Sequence, residues 1–217
     1  MVSNTNEIGQ EYEGVDPVDS LFSGGGEMGT LMRALGWSRT PIGPLSGWPQ
    51  SLRTAVRIIL TSRYPMFIWW GRELVNLYND PYAQILGVKH PSALGQSARE
   101  TWAEIWDQGI GRRVEAVLDR GESTYDETLL LLMERHGYPE ETYFTFSYSP
   151  LPGDDGATGG LFCAVTEETQ QVVNDRRLRL HRELGAAMAD CHTPLEVCKA
   201  AAKCLADARH DLPFSLI

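Results

Sequence analysis

The chain has 217 residues, 42% of them hydrophobic and 22% charged, and a formal net charge of −10. That length holds one domain of ordinary size plus extensions, with the composition of a soluble globular protein. The acidic balance argues against nucleic acid or an anionic membrane as a partner of the whole chain, and no run approaches the ~18 apolar residues of a membrane span.

Residues 1–26 are polar and acidic, lack the basic start and apolar core of a signal peptide, and read as a disordered leader. Its Gly24-Gly25-Gly26 run reads as a flexible joint, since no Lys-Ser/Thr follows and no strand precedes it. Glu27–Leu35 reads as a short amphipathic helix, with Met28, Leu31, Met32 and Leu35 on one face and Gly36 as its stop. A loop punctuated by Pro and Gly, with Trp37 and Trp48 at its ends, leads to a second helix through Thr61. Leu52, Val56, Ile59 and Leu60 form the apolar stripe of that helix.

Met66–Trp70 and Leu74–Tyr78 are short β-favouring runs separated by Gly71-Arg72-Glu73, the pattern of a hairpin. Asn79 ends the second run, Asp80 can serve as an N-cap, and Pro81 suits a first helical position. A short helix bearing Tyr82, Ile85 and Leu86 follows, closed by Gly87. Helical turns carrying Trp102, Ile105 and Trp106 precede a helix over about Arg112–Arg120, whose buried face is Val114, Val117 and Leu118. Three long runs, Ser123–Glu134, Glu141–Ser149 and Gly160–Thr166, read as antiparallel strands. In the middle one Thr142, Phe144, Phe146 and Tyr148 share a face. From Gln170 to Ala189 a helix is expected, with Val173, Leu180, Leu184 and Ala187 at approximate heptad spacing.

Two strands, short helices, one longer helix and three long strands is the order of a PAS domain, which the chain resembles over about residues 64–169. A denser resemblance covers roughly Glu27 to Leu184, in GEMGTLMRALGWSRTPIGPLSGWPQSL, RYPMFIWWG, LYNDPYAQILG and EETYFTFSYSP. It is to PAS sensor modules at the N-termini of bacterial multi-domain histidine kinases and related regulators, with Gly109 as an extra residue relative to their pattern. The resemblance implies an α+β PAS fold: a five-stranded antiparallel sheet, short helices on one face, an N-terminal helical extension (27–63) and a C-terminal signalling helix (170–192). It implies that Asn79 pins the strand-to-helix corner. It implies also that Glu167 and Thr169 stand at an exit signal, with Thr166 or Thr169 capping the following helix. Residues 193–217 resemble the first helix and first strand of a GAF domain.

The cleft expected between sheet and helices is lined by Trp69, Tyr78, Tyr82, Leu86, Trp102, Trp106, Leu130, Phe146 and Phe162, with Asn79, Arg99 and Tyr148 as polar candidates. Its ligand is unknown. The absence of His from the long helix argues against heme, and the absence of Cys around Ser97–Trp106 argues against flavin photochemistry. His90 and His136 read as surface histidines, and Asp154-Asp155-Gly156 as a turn. The four cysteines, Cys163, Cys191, Cys198 and Cys204, have neither CxxC nor zinc-type spacing, as expected of reduced thiols, with Cys163 a small core residue. No catalytic constellation is visible. The expected function is a cytoplasmic, non-enzymatic sensory and dimerisation module with GAF and kinase domains in cis. Its homodimer interface is expected over residues 27–61 and 169–188. A PAS that only holds two chains together is the alternative, and a phosphoacceptor role for His181 the second.

Overall fold

The computed structural model describes residues 17–208 and residue 211, and side chains from residue 20 onward. Three helices come first, α1 (Pro17–Phe22), α2 (Gly26–Ala34) and α3 (Gln50–Thr61). The hairpin β1 (Met66–Trp70) and β2 (Val75–Tyr78) follows, then the short helices α4 (Asp80–Leu86), α5 (Ala98–Thr101) and α6 (Ala103–Ile105). A π-helical turn over Trp106–Ile110 leads into α7 (Gly111–Arg120). Strands β3 (Thr124–Met133), β4 (Glu140–Pro152) and β5 (Thr158–Glu167) complete the sheet, and α8 (Thr169–Met188) and α9 (Pro194–Ala206) leave it. The strand order is β2-β1-β5-β4-β3, antiparallel throughout.

Alternation along the strands divides the core between two faces. Phe67 and Trp69 of β1, and Thr142, Phe144, Phe146 and Tyr148 of β4, are buried on the inner face under α4–α7. Ile68 and Leu77 are cross-strand partners on the opposite face, yet both are fully buried. Helix α3 covers them with Leu52, Val56 and Ile59, so helices lie on both faces of the sheet at its β1–β2 end.

The extension is held from a distance. Neither α2 nor α3 has a capping side chain of its own, since Gly25 and Pro49 occupy their N-cap positions. Asp80 accepts from Glu27 N (3.2 Å) and Met28 N (2.7 Å). Asp154 accepts from Gln50 N (2.9 Å) and Ser51 N (3.1 Å). Each carboxylate thus meets the positive end of a helix dipole. Asp80 therefore caps α2 and not, as expected, its own helix, whose N-cap is Asn79. The glycine run marks this docking and not a loose joint: Gly26 has φ +57°, and a Cβ there would overlap the Asp80 carboxylate. The leader expectation for residues 1–16 lies outside the described residues. Pro17–Phe22 are helical, with Leu21 and Phe22 buried in the core.

Asn79 is 1% exposed and serves five backbone groups at the corner, the most distant of them Ser62 O at 3.4 Å from Nδ2. Its Nδ2 donates to Ile59 O (3.0 Å) and Tyr64 O (2.7 Å), and its Oδ1 accepts from Met66 N (3.0 Å) and Tyr82 N (3.2 Å). Gly109 lies in the π-helical turn, where φ is +107° and Arg113 Nη1 donates to the Gly109 carbonyl (2.9 Å).

Asn79→Ala should cost about 2–4 kcal/mol in denaturant unfolding, because several buried backbone groups lose their partner at once. A loss below about 1 kcal/mol would mean that water replaces the side chain. The backbone amides of Ser51 and Gln50 hold the Asp154 carboxyl below its usual range. A depressed folded pKa stabilises above the unfolded value of about 3.9 and is lost as pH falls through the folded one. The stability difference between the native chain and Asp154→Ala should therefore be full at about pH 6, begin to shrink as pH falls toward about 4, and vanish only below the depressed folded pKa. A pH-independent difference would remove the charge from the cap.

Candidate functional site

Between the inner face of the sheet and α4–α7 lies a cavity of about 40 Å³. Its sheet wall comprises Phe67 and Trp69, then Leu131 and Met133, Phe144, Phe146 and Tyr148, and Cys163 and Val165. Its helical wall is Tyr82 and Ile85 of α4, Trp102 at the α5–α6 junction, Ile105 of α6, and Ile110. The aromatic rings pack edge to face or tilted, with centroids 4.7 Å apart for Phe67–Trp69 and Phe67–Tyr82, and 5.6 Å for Trp69–Tyr148.

Only neutral polar groups belong to these walls: two indole N–H groups, two phenols and one thiol. Burial pushes the Tyr82 and Tyr148 phenols and the Cys163 thiol well above their usual ranges, so all three keep their protons at neutral pH. Trp69 Nε1 and Trp102 Nε1 are buried and have no acceptor among the described residues. The Trp102 N–H favours the Tyr82 phenolate electrostatically but does not reach hydrogen-bond geometry with it. Lys89 closes the other side of Trp102, its Nζ 4.3 Å from the ring centroid and 2.5 Å from Glu104 Oε1.

Of the sequence-derived lining, Trp69, Tyr82, Trp102, Phe146 and Tyr148 are brought together in the cavity wall. The others lie elsewhere. Leu86 is core behind it, and Trp106 stacks outside Trp69 at 6.1 Å. Arg99 is exposed and sits over the outer ring of Trp106 at 5.5 Å. Tyr78 donates or accepts at His90 Nδ1 (3.0 Å), and Asn79 is spent on the corner.

Leu130 and Phe162 point the opposite way, and Leu131 and Cys163 take their places. For Leu130 the cause is a bulge in β3 between Asp126 and Leu129, which resets the alternation. Thr128 within it has φ +50°, held by bonds to Thr145 Oγ1 (2.9 Å) and Glu168 Oε2 (2.8 Å).

The exit junction also differs from expectation. Glu168, not Thr166 or Thr169, is the N-cap residue of α8, and it makes no side-chain cap. Thr169 Oγ1 accepts instead from Tyr143 N (3.0 Å) and donates to Glu167 Oε1 (2.9 Å). Glu167 pairs with Arg135 (2.8 Å), a nearly buried cation also bound to Glu140 (3.2 Å). Glu168 carries no local pattern that sequence reasoning could have used, since Thr145 and Thr128 lie 23 and 40 residues away, and the bond that ties Arg135 to the exit junction, to Glu167, spans 32.

Residues 70–173 match a family model described as the PAS fold. This segment has the PAS fold. The match begins at the last residue of β1 and runs into the first turns of α8, leaving the extension and α9 outside. Solved structures with similar folds include a PAS domain from Colwellia psychrerythraea, at 12% identity and TM-score 0.42 over 55% of this chain and 98% of that one. A sensory box sensor histidine kinase from Vibrio cholerae has 15% identity and TM-score 0.39 over 54% and 92%. A LOV protein from Rhodobacter sphaeroides has 14% identity and TM-score 0.47 over 76% and 98%. These likenesses concern the fold alone. No curated protein matches the chain.

In this PAS fold Cys163 is a natural reporter of cavity opening, being fully buried in the wall while Cys191, Cys198 and Cys204 are partly or fully exposed. Native labelling with a thiol reagent should modify three cysteines readily and Cys163 only at the rate at which the cavity opens. Equal reactivity of all four would mean that the inner face is open to solvent.

Proposed function

We propose that this chain is the sensory and dimerisation module of a bacterial signal-transduction protein, passing a signal from the PAS cavity through α8 to GAF and histidine-kinase-type domains in cis. The observation that carries this reading is the double use of β5. Cys163 and Val165 form cavity wall, and within four residues the same strand has become α8. Glu167, Glu168 and Thr169 fasten that junction to Arg135, to the β3 bulge and to the β4 backbone. A shift of the wall therefore reaches the helix through short, directional bonds.

Several features support the downstream half of the proposal. Helix α8 buries no side chain completely, and Leu178 on it is 47% exposed. Helix α9 opens with a capping box, Thr193 with Glu196, as the start of a further folded unit would. The GAF strand expected after it lies outside the described residues. No helix among the described residues is long and apolar enough to cross a membrane. The dimer is assigned to α8 alone. Of the apolar stripes in residues 27–61, which the sequence suggested for an interface, Met28, Met32, Leu52, Val56, Ile59 and Leu60 are buried within the chain, and Leu31 and Leu35 are partly buried. His181 is exposed on α8, and no catalytic role is assigned to it.

The small cavity favours a second reading, a PAS that only holds chains together. The two readings differ in output. Thr169→Ala combined with Glu167→Ala should leave the fold intact by circular dichroism and alter output of the full-length protein by roughly fivefold, the effect of one cap-sized interaction. Unchanged output with α8 still formed would reject transmission through this junction. Light scattering at high micromolar concentration should show a dimer, weakened by Leu178→Glu. A monomer would remove the dimerisation role.

A further inference from the structure

Three exposed apolar side chains share one face of β3: Tyr125, Leu130 and Leu132, at 66%, 46% and 50% exposure. Their cross-strand partners are Ser147, Tyr143 and Glu141, so all three stand on the outer face of the sheet, which α3 covers at the β1–β2 end. Apolar side chains aligned in this way mark a contact surface, whereas scattered ones need no explanation. Strand β3 is also an edge of the sheet, but its bulge between Asp126 and Leu129 disfavours growth of the sheet from that edge. The face remains.

Charge identifies what fits it. Glu127 and Glu134 bracket the two leucines along the strand, both are exposed, and neither side chain makes an ion pair among the described residues. Helix α8 carries the converse pattern. Leu178, 47% exposed, has Arg177 and Arg179 beside it and Arg182 one turn on, against Asp175 one turn before. Arg179 and Arg182 are exposed and have no ion-pair partner among the described residues. Leu180, on the other side of α8, lines a groove with Cys204 and Asp207, so α9 leaves Leu178 uncovered.

We propose that the outer face of β3 receives α8 of a second copy of this chain, with Leu178 seated on Leu130 and Leu132 and Arg179 and Arg182 reaching Glu127 and Glu134. Each copy carries both surfaces, so a twofold axis makes the contact twice, and this repetition brings two small patches toward the size of a stable interface. The inference rests on the dimerisation reading above and names the surface that α8 meets. It also joins the two exit junctions: the β3 that holds the partner's α8 is bound through Thr128 to Glu168 at the start of its own (2.8 Å).

The test is light scattering of the 217-residue chain at high micromolar concentration, with the variants Leu130→Arg and Leu178→Glu at these exposed positions. Each alone should raise the dimer dissociation constant roughly tenfold or more, because an unpaired charge then faces leucine. Mixed in equal amounts, the two should recover the dimer, since one contact pairs the opposite introduced charges and the other is native. Should either variant fail to fold by circular dichroism, Arg182→Glu mixed with the double variant Glu127→Arg and Glu134→Arg repeats the exchange and is read in the same way. A dimer that Leu178→Glu dissociates and Leu130→Arg does not would overturn the proposal in favour of α8 against α8, with dimerisation standing. Two dissociated variants that do not recover on mixing would overturn it because the side chains do not meet. A monomeric native chain would overturn it together with the dimerisation role.

Discussion

Five backbone groups, from α3, β1, α4 and the α3–β1 connection, meet on one buried amide, that of Asn79. The end of α3, the start of β1 and the first turn of α4 would otherwise each bury a polar group without a partner, and no rearrangement of apolar side chains could compensate. The remaining architecture follows from that junction. It fixes the direction of α4, which places Tyr82 and Ile85 in the cavity wall. It also holds Asp80, the next residue, against the start of α2. A carboxylate at position 79 could accept but not donate, and would lose the bonds that Nδ2 donates.

The same economy explains why the N-terminal helices belong to the domain and are not an appendage to it. Helices α2 and α3 begin at residues without a capping side chain, and the β1–β2 end of the sheet has an apolar outer face. Each lacks what the other supplies. Asp80 and Asp154 complete the helices, and the helices cover Ile68 and Leu77. The outer face over β3 has no such cover, and Tyr125, Leu130 and Leu132 there are about half exposed or more.

Beside the corner, where β5 leaves the sheet, the chain uses charge where the cavity uses none. Arg135, held by Glu140 and Glu167, and Glu168, held by Thr128 and Thr145, bind three strands to the first turn of α8. Such a network is directional, because each bond has one donor and one acceptor geometry, whereas the cavity wall is adaptable apolar packing. A soft wall joined to a stiff junction converts small displacements on one side into movement of a helix on the other.

Periodicity and turn chemistry were local properties, and they determined the element order and the inner face of β4, while the corner role of Asn79 was implied by the PAS resemblance. Alternation over Thr142–Tyr148 is uninterrupted, so phase and face could be read directly. The same reading failed for Leu130, because the bulge at Thr128 is stabilised by Glu168 and Thr145 from other strands and leaves no local trace. It failed for Asp80 and Asp154 for a related reason. A carboxylate near a turn is a cap in either case, but which helix it caps depends on what the tertiary structure brings within 3 Å. Composition alone indicated an aromatic cleft. Only the folded chain decided its size, because packing density is set by contacts that span the whole domain.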